Sequence, residues 1–296
     1  MSPNSLAFGS LFPLQVTLGV LGNVAVLLLP AGSKPRPVDL ILSHLALANA
    51  AMLLTKGVPE TMAAWGRCRF LADVGCKILL YCFRVGRGLS ICSTSLLSVF
   101  QALTLSPGEP RLGPLKARAP GVVLPSCFTF WALNMLLEVP NLVLVTGPPN
   151  DTTVRRVFDG VYCSSVGASP GVTLTITTLI SLRDLFFIGL MSSASGYMVL
   201  LLHSHHRRVL HIHGAGRSAG ATPEVRAAKR VVALVTLYVL LYGTNVVILS
   251  TLLHSKEADP LVRDLGQVLS FAFPALSPFL ILSVNRRPSL SHTDAS

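Results

Sequence analysis

Long apolar runs separated by short polar stretches dominate this chain, and seven of them reach, or nearly reach, the length that crosses about 30 Å of hydrocarbon at about 1.5 Å per helical residue. They run from Leu11 to Leu29, Leu40 to Leu54, Val74 to Leu105, Val122 to Val145, Leu185 to Leu202, Val231 to Leu253 and Leu265 to Val284. Each predicts a helix, because hydrocarbon offers no water to the backbone and every N–H and C=O must be satisfied within the segment. The second run is short and contains His44 and Asn49. Even so, Val38, Leu40, Ile41, Leu45, Leu47, Ala48, Met52 and Leu53 give it a continuous apolar coat. The third run is the most polar. No repeat of fixed period and no long linker is visible, so residues 1–296 are expected to form one all-α domain, a seven-transmembrane helix bundle.

Composition agrees with a membrane class. Hydrophobic residues make up 51% of the chain and charged residues 12%, with a mean hydropathy of +0.62. The net charge of +11 is not a nucleic-acid signature here: there is no lysine-rich tract, and aromatic residues are only 7%. Its distribution instead reports topology. With the N-terminus extracellular, the inner segments hold Lys34, Arg36, Arg111, Lys116, Arg118, Arg207, Arg208, Arg217, Arg226, Lys229, Arg230, Arg286 and Arg287. The outer ones hold Arg67, Arg69, Arg155, Arg156, Arg183, Lys256 and Arg263. No basic residue precedes the first run and Lys34 and Arg36 follow it, so it reads as an uncleaved signal anchor.

Two further features agree with this orientation. Asn150-Asp151-Thr152 is a glycosylation sequon in the loop between the fourth and fifth spans, on the outer side. Cys76 at the outer start of the third span and Cys163 in the same outer loop are placed to form a disulfide in an oxidising compartment, pinning that loop over the mouth of the bundle. Cys82, Cys92 and Cys127 fall inside spans as small packing residues, and Cys68 is external. No Cys or His spacing matches a zinc site, and no metal or other cofactor is expected.

The segments His44-Leu45-Ala46-Leu47-Ala48-Asn49, Lys56-Gly57-Val58-Pro59, Arg84-Val85-Gly86-Arg87-Gly88 and Ser98-Val99-Phe100-Gln101-Ala102 occur in that order. Gly22-Asn23, Tyr162-Cys163, Pro223-Glu224-Val225-Arg226-Ala227 and Phe273-Pro274-Ala275-Leu276-Ser277-Pro278-Phe279 complete the set. Together they resemble the vomeronasal type-1 receptors, a chemosensory branch of the rhodopsin-like receptors, over about Leu18 to Leu282. The resemblance implies a multi-pass plasma-membrane receptor with a rhodopsin-like architecture. It also implies detection of pheromone-like or odorant small molecules and signalling through an inhibitory-type heterotrimeric G protein. Phe100-Gln101-Ala102 stands where most rhodopsin-like receptors carry Asp-Arg-Tyr, and Ser277-Pro278-Phe279-Leu280-Ile281 where they carry Asn-Pro-x-x-Tyr. The ionic latch is therefore absent, and Asn49 in place of the usual Asp argues against a sodium pocket.

Arg84 and Arg87 are three residues apart, hence on one helix face, about 12 and 16 Å below Cys76. A charge that deep turns toward the bundle interior, water or a carboxylate. Two readings are compatible. In one, the arginines floor a ligand pocket for a sulfate or carboxylate, walled by Leu80 and Phe83. In the other, they pair with Glu138 or Asp184, a pair that a ligand would break. Asp184, beside Arg183 at the outer end of the fifth span, is expected in an interfacial salt bridge or in ligand contact. Gln101, Arg118, Arg207, Arg208, Arg226, Lys229 and Arg230 border the inner cleft that a G protein would enter. Pro125, Pro140, Pro274 and Pro278 are expected to kink their helices, with Pro278 a candidate hinge. His203, His205, His206, His211 and His213 read as a solvated inner loop.

No HExxH, GxSxG, phosphate loop or paired intramembrane carboxylates occur, so the chain is not expected to be an enzyme. A transporter or channel would want matching broken halves or a ring of charges, and neither is evident. A bitter taste receptor shares the short termini and missing latch but characteristically lacks a bridge of the Cys76–Cys163 type. A family member that no longer signals is compatible with the sequence.

Overall fold

The computed structural model describes residues 3–30, 36–66, 72–106, 113–146, 156–159, 163–166, 169–213, 223–254 and 260–283. Asn150, Cys68, Lys34, Arg67, Arg69, Arg111, Arg155, Arg217, Lys256, Arg286 and Arg287 lie outside them. The elements are α1 (Pro3–Leu28), α2 (Pro37–Met52), a π-helical turn (Leu53–Gly57), α3 (Val58–Ala64), α4 (Asp73–Leu105) and α5 (Gly113–Leu144). Three short strands follow, β1 (Val145–Thr146), β2 (Arg156–Asp159) and β3 (Ser164–Val166), then α6 (Pro170–His213), α7 (Pro223–His254) and α8 (Pro260–Leu282). Pro3, Pro37, Pro170, Pro223 and Pro260 each open a helix, where the missing N–H costs nothing and the fixed φ is already helical. Among the described residues, seven helical segments are long and apolar enough to cross a membrane, and α4 is the most enclosed of them.

The second span is longer than its apolar run suggests, extending from Pro37 to Ala63. Pro59 lacks the N–H that would bond to the carbonyl of Thr55, and its ring crowds that carbonyl; the wide π turn just before it absorbs the misfit and carries the helix on. Gly57 in this turn lies against Val16 of α1 with no room for a side chain.

Two prolines in α8 are likewise built in. Pro278 cannot donate to the carbonyl of Pro274, and Asn23 Nδ2 of α1 donates to that freed oxygen at 2.9 Å. Gly22 lets α1 approach, since a methyl there would meet Pro278 Cγ at 2.8 Å. Nearby, Ser90 Oγ donates to Asn49 Oδ1 at 2.9 Å and Asn49 Nδ2 donates to Ser277 Oγ at 2.9 Å, tying α4, α2 and α8 through buried groups. Asn49 is thus committed to two hydroxyls. Interhelical hydrogen bonds of this kind hold a bundle whose lipid-facing Leu and Val gain nothing by association.

Further boundaries differ from the sequence expectation. The helix of the fourth span begins at Gly113, nine residues ahead of the expected Val122. Lys116 Nζ donates to the carbonyls of Thr104 (3.0 Å) and Ser106 (3.3 Å), satisfying carbonyls at the inner end of α4. The fifth span begins at Gly171, well before Leu185. Its first turns look polar because of Thr173, Thr175, Thr177 and Thr178, but threonine can bond back to its own helix, as Thr175 Oγ1 does to the carbonyl of Gly171 at 2.9 Å. Arg183 and Asp184 therefore do not sit at the outer end of a span. They lie within the bundle. At the other end, His203 to His213 form the last turns of α6 and not a solvated loop.

On the outer side, β1, β3 and β2 pair antiparallel in that order, Val145 opposite Ser165 and Arg156 opposite Val166. Cys163, just before β3, is joined to Cys76 of α4 with Cα atoms 5.7 Å apart, which fixes the small sheet to the central helix.

Candidate functional site

Counting along the helices explains which charges meet. Arg87 lies fourteen residues into α4 and Asp184 fourteen residues into α6, each about 21 Å from its outer helix end. At 100° per residue, Phe83, Arg87, Arg84 and Gly88 follow one another in that order across an arc of about 140° on α4, with Phe83 at one flank. Phe83 is packed with Phe12, Leu53, Phe271 and Ala275 at the side of α1 and α8. Gly88, on the other flank, faces Asn134 of α5 and Arg183 of α6. Arg84 falls between these directions and so points into the bundle, where it is exposed and makes no ion pair with any described residue.

Arg87 takes the second reading left open by the sequence. Its Nη2 donates to Asp184 Oδ2, and to the Tyr242 hydroxyl at 3.3 Å, while its guanidinium lies 5.4 Å from the Tyr242 ring centre. The Tyr242 hydroxyl in turn donates to Asp184 Oδ2 at 3.1 Å. The other carboxylate oxygen, Oδ1, receives Arg183 Nε at 3.0 Å and Nη2 at 2.8 Å. Arg183 Nη1 reaches Asn134 Oδ1 at 2.9 Å and Glu138 Oε1 at 3.3 Å. Both proposed carboxylate partners are therefore present in one network, with Asp184 on Arg87 and Glu138 on Arg183. The bundle admits it because residue 88 is glycine: a methyl there would overlap the Asn134 side chain and sit 2.9 Å from Arg183 Nη1.

The two expected wall residues divide. Leu80 packs beside the Cys76–Cys163 bridge, above the arginines, and Phe83 belongs to the lobe shared with α1 and α8. In that lobe Lys56, set by the π turn, places its ammonium 4.8 Å from the Phe83 ring centre and 5.6 Å from that of Phe271. The outer half of the bundle thus has a cationic, aromatic side at Lys56 and a paired-charge side at Asp184, with the exposed Arg84 on α4 between them.

Residues 6–290 match the family described as the vomeronasal organ pheromone receptor family. The chain belongs to the vomeronasal type-1 receptor family. Among its relatives are olfactory receptor class A-like protein 1 of Danio rerio, 38% identical over 94% of this chain and 89% of that protein, and vomeronasal type-1 receptor 4 of Homo sapiens, 38% identical over 91% of each. Human vomeronasal type-1 receptor 3 is 36% identical over 97% of this chain and 94% of its own length. The protein is accordingly a chemosensory G-protein-coupled receptor of the plasma membrane and not an enzyme. Family membership sets the bitter-taste and transporter readings aside.

At the inner end of the receptor, a small open cleft lies between α2, α4, α7 and α8, walled by Val38, Leu42, Leu97, Val231, Leu234 and Leu280. Gln101 and Arg230 supply its polar groups. Gln101 is otherwise buried, its carbonyl and amide oxygen engaged by Thr104. Arg118, Arg207, Arg226 and Lys229 stand near the inner helix ends; Arg208 lies in α6, its side chain outside the described part. Among the described residues no cluster of His, Cys, Asp or Glu is arranged to hold a metal.

Sequence reasoning missed three members of the site. Lys56 was visible as a lysine directly after an apolar run, a placement that in a membrane asks for a function. Asn134 was legible as one of two amides, with Asn141, in an otherwise apolar span. Nothing in the pattern marked Tyr242, since a tyrosine in a membrane helix is ordinary.

Proposed function

We propose that the receptor detects pheromone-like amphipathic anions, with Arg84 and Arg87 receiving a sulfate or carboxylate and Phe83, Lys56 and Tyr242 flanking the apolar part. The observation that carries this reading is a charge count at membrane depth. Lys56, Arg84, Arg87 and Arg183 face Glu60, Glu138 and Asp184, four positive against three negative, which leaves one positive charge over. Arg183 has two carboxylates within 4 Å, Arg87 has Asp184, and Glu60 stands one helical turn from Lys56. Arg84 is the charge left over, and a monoanion completes it through forked hydrogen bonds that a neutral group cannot supply.

Downstream, the reading is coupling to an inhibitory-type G protein through the inner cleft, with Gln101 and Arg230 inside it and Arg118, Arg207, Arg208, Arg226 and Lys229 around it. Asn150 is proposed as a glycosylation site on the outer loop. The test is imaging of receptor-expressing cells against amphipathic sulfates and carboxylates, comparing the parent with Arg87→Ala and with pertussis toxin treatment. A response lost in the variant at equal surface level supports the pocket, and a toxin-blocked response supports the G-protein assignment. An unchanged dose response in Arg87→Ala overturns the pocket; a toxin-insensitive response overturns the coupling.

A further inference from the structure

Asp184 has two carboxylate oxygens with different partners, and the difference is one of exchangeability. Oδ1 is held by Arg183, whose side chain is 5% exposed and whose third nitrogen is itself taken by Asn134 and Glu138. Oδ2 is held by Arg87 and Tyr242, and the Arg87 side chain is 38% exposed, with Arg84 three residues away also exposed. Arg87 Nε is buried and has no hydrogen-bond partner among the described residues, so the guanidinium is not saturated where it stands. One arginine is locked in the interior while the other is partly exposed and incompletely bonded.

We infer that Asp184 Oδ2 is an internal stand-in for the ligand's anionic group, and that Arg183 is a positioning residue which keeps Asp184 compensated when Arg87 leaves it for the ligand. The inference rests on the anion reading given above and adds to it the mechanism by which binding is felt. Without Arg183, transfer of Arg87 to an incoming anion would strand a carboxylate in the bundle, a cost that would oppose binding. With Arg183 in place, Asp184 keeps two charge-assisted hydrogen bonds throughout, from a guanidinium that it shares with Glu138. What changes is the joint among α4, α6 and α7. Arg87 and Tyr242 both meet at Oδ2, Tyr242 stacks on Tyr238 at 5.8 Å, and Tyr238 meets Phe273 of α8 edge-on at 4.7 Å. An anion that draws Arg87 off Oδ2 therefore loosens α7 at the first contact of an aromatic stack that crosses to α8, the class of ligand being one whose anionic group competes with a carboxylate.

The experiment uses the full receptor in cells, with no ligand required. Arg87→Gln, Arg183→Gln, Tyr242→Phe and the pair Arg183→Gln with Glu138→Gln are compared for surface density by an N-terminal epitope and for basal signalling. The expected result is that Arg87→Gln and Tyr242→Phe reach the surface within twofold of the parent and signal above it without ligand. Arg183→Gln falls tenfold or more at the surface and is restored by adding Glu138→Gln. If Arg87→Gln is lost from the surface as completely as Arg183→Gln, or if Arg183→Gln is as well expressed as the parent, the unequal roles are wrong. If Arg87→Gln and Tyr242→Phe are at the surface with parental basal signalling, Oδ2 is not the joint. Failure of the anion reading shows separately, as Arg84→Gln responding like the parent to the anion panel.

Discussion

Replacing Gly88 with alanine adds one methyl group to the part of the bundle where α4, α5 and α6 meet. It would overlap the Asn134 amide, with Cγ at 2.7 Å and Arg183 Nη1 at 2.9 Å. Neither neighbour can yield cheaply, because Asn134 accepts from Arg183 at 2.9 Å and donates to the carbonyl of Phe130 at 2.8 Å, and Arg183 is also bound to Glu138 and Asp184. Losing one charge-assisted hydrogen bond costs about 1.5–3 kcal/mol and overpacking about 1–3 kcal/mol, offset by up to about 1 kcal/mol of helix propensity gained on removing glycine. The net is about 2–4 kcal/mol, roughly a thirtyfold or greater fall in the folded fraction at about 1.4 kcal/mol per decade. Gly189→Ala is the control: it lies in a transmembrane helix with nothing within 4 Å of the added carbon, so only the propensity gain applies. Surface density by an external N-terminal epitope and thermal stability in detergent should both drop for Gly88→Ala and hold or rise for Gly189→Ala. Equal behaviour of the two variants would refute the close approach at Gly88 and the network built on it.

Cys76→Ser opens a disulfide spanning 87 residues, and chain-entropy bookkeeping puts the loss at up to about 4.5 kcal/mol; thermal stability should fall, and Cys163→Ser should add nothing to it. Asn49→Leu leaves the buried hydroxyls of Ser90 and Ser277 without their shared partner, at about 1–3 kcal/mol, and should lower thermal stability while surface topology is unchanged. Arg230→Ala empties the inner cleft of its only cation among the lining residues; agonist dose dependence of binding should stay parental while maximal G-protein activation falls severalfold.

The seven spans were legible because hydrocarbon imposes one rule on every backbone group, and the rule shows as long apolar runs. Their ends were less so. Threonines before Leu185 looked like loop because their hydroxyls are polar in sequence, whereas in the helix a hydroxyl such as that of Thr175 is spent on a carbonyl one turn back. Missing those turns displaced Arg183 and Asp184 to the surface, although their meeting with Arg87 depends on both helices being counted from their true starts. Pro59 invited an early stop for α2, yet the π turn carries the helix past it and delivers Lys56 to the interior. The depth and shared face of Arg84 and Arg87 followed from spacing alone. Which carboxylate each arginine takes did not, because rotation of α5 and α6 about their axes is set by side-chain packing around Gly88, a property of the assembled bundle.

The most direct test of the anionic ligand assignment pairs each amphipathic carboxylate or sulfate ester with its neutral methyl ester or alcohol and measures signalling in the parent and in Arg84→Gln at matched surface density. Acids should activate where their neutral counterparts are silent, and the dose response of Arg84→Gln should shift at least tenfold to higher concentration. Activators equally potent in charged and neutral form, or an Arg84→Gln curve superimposed on the parent's, would contradict the assignment.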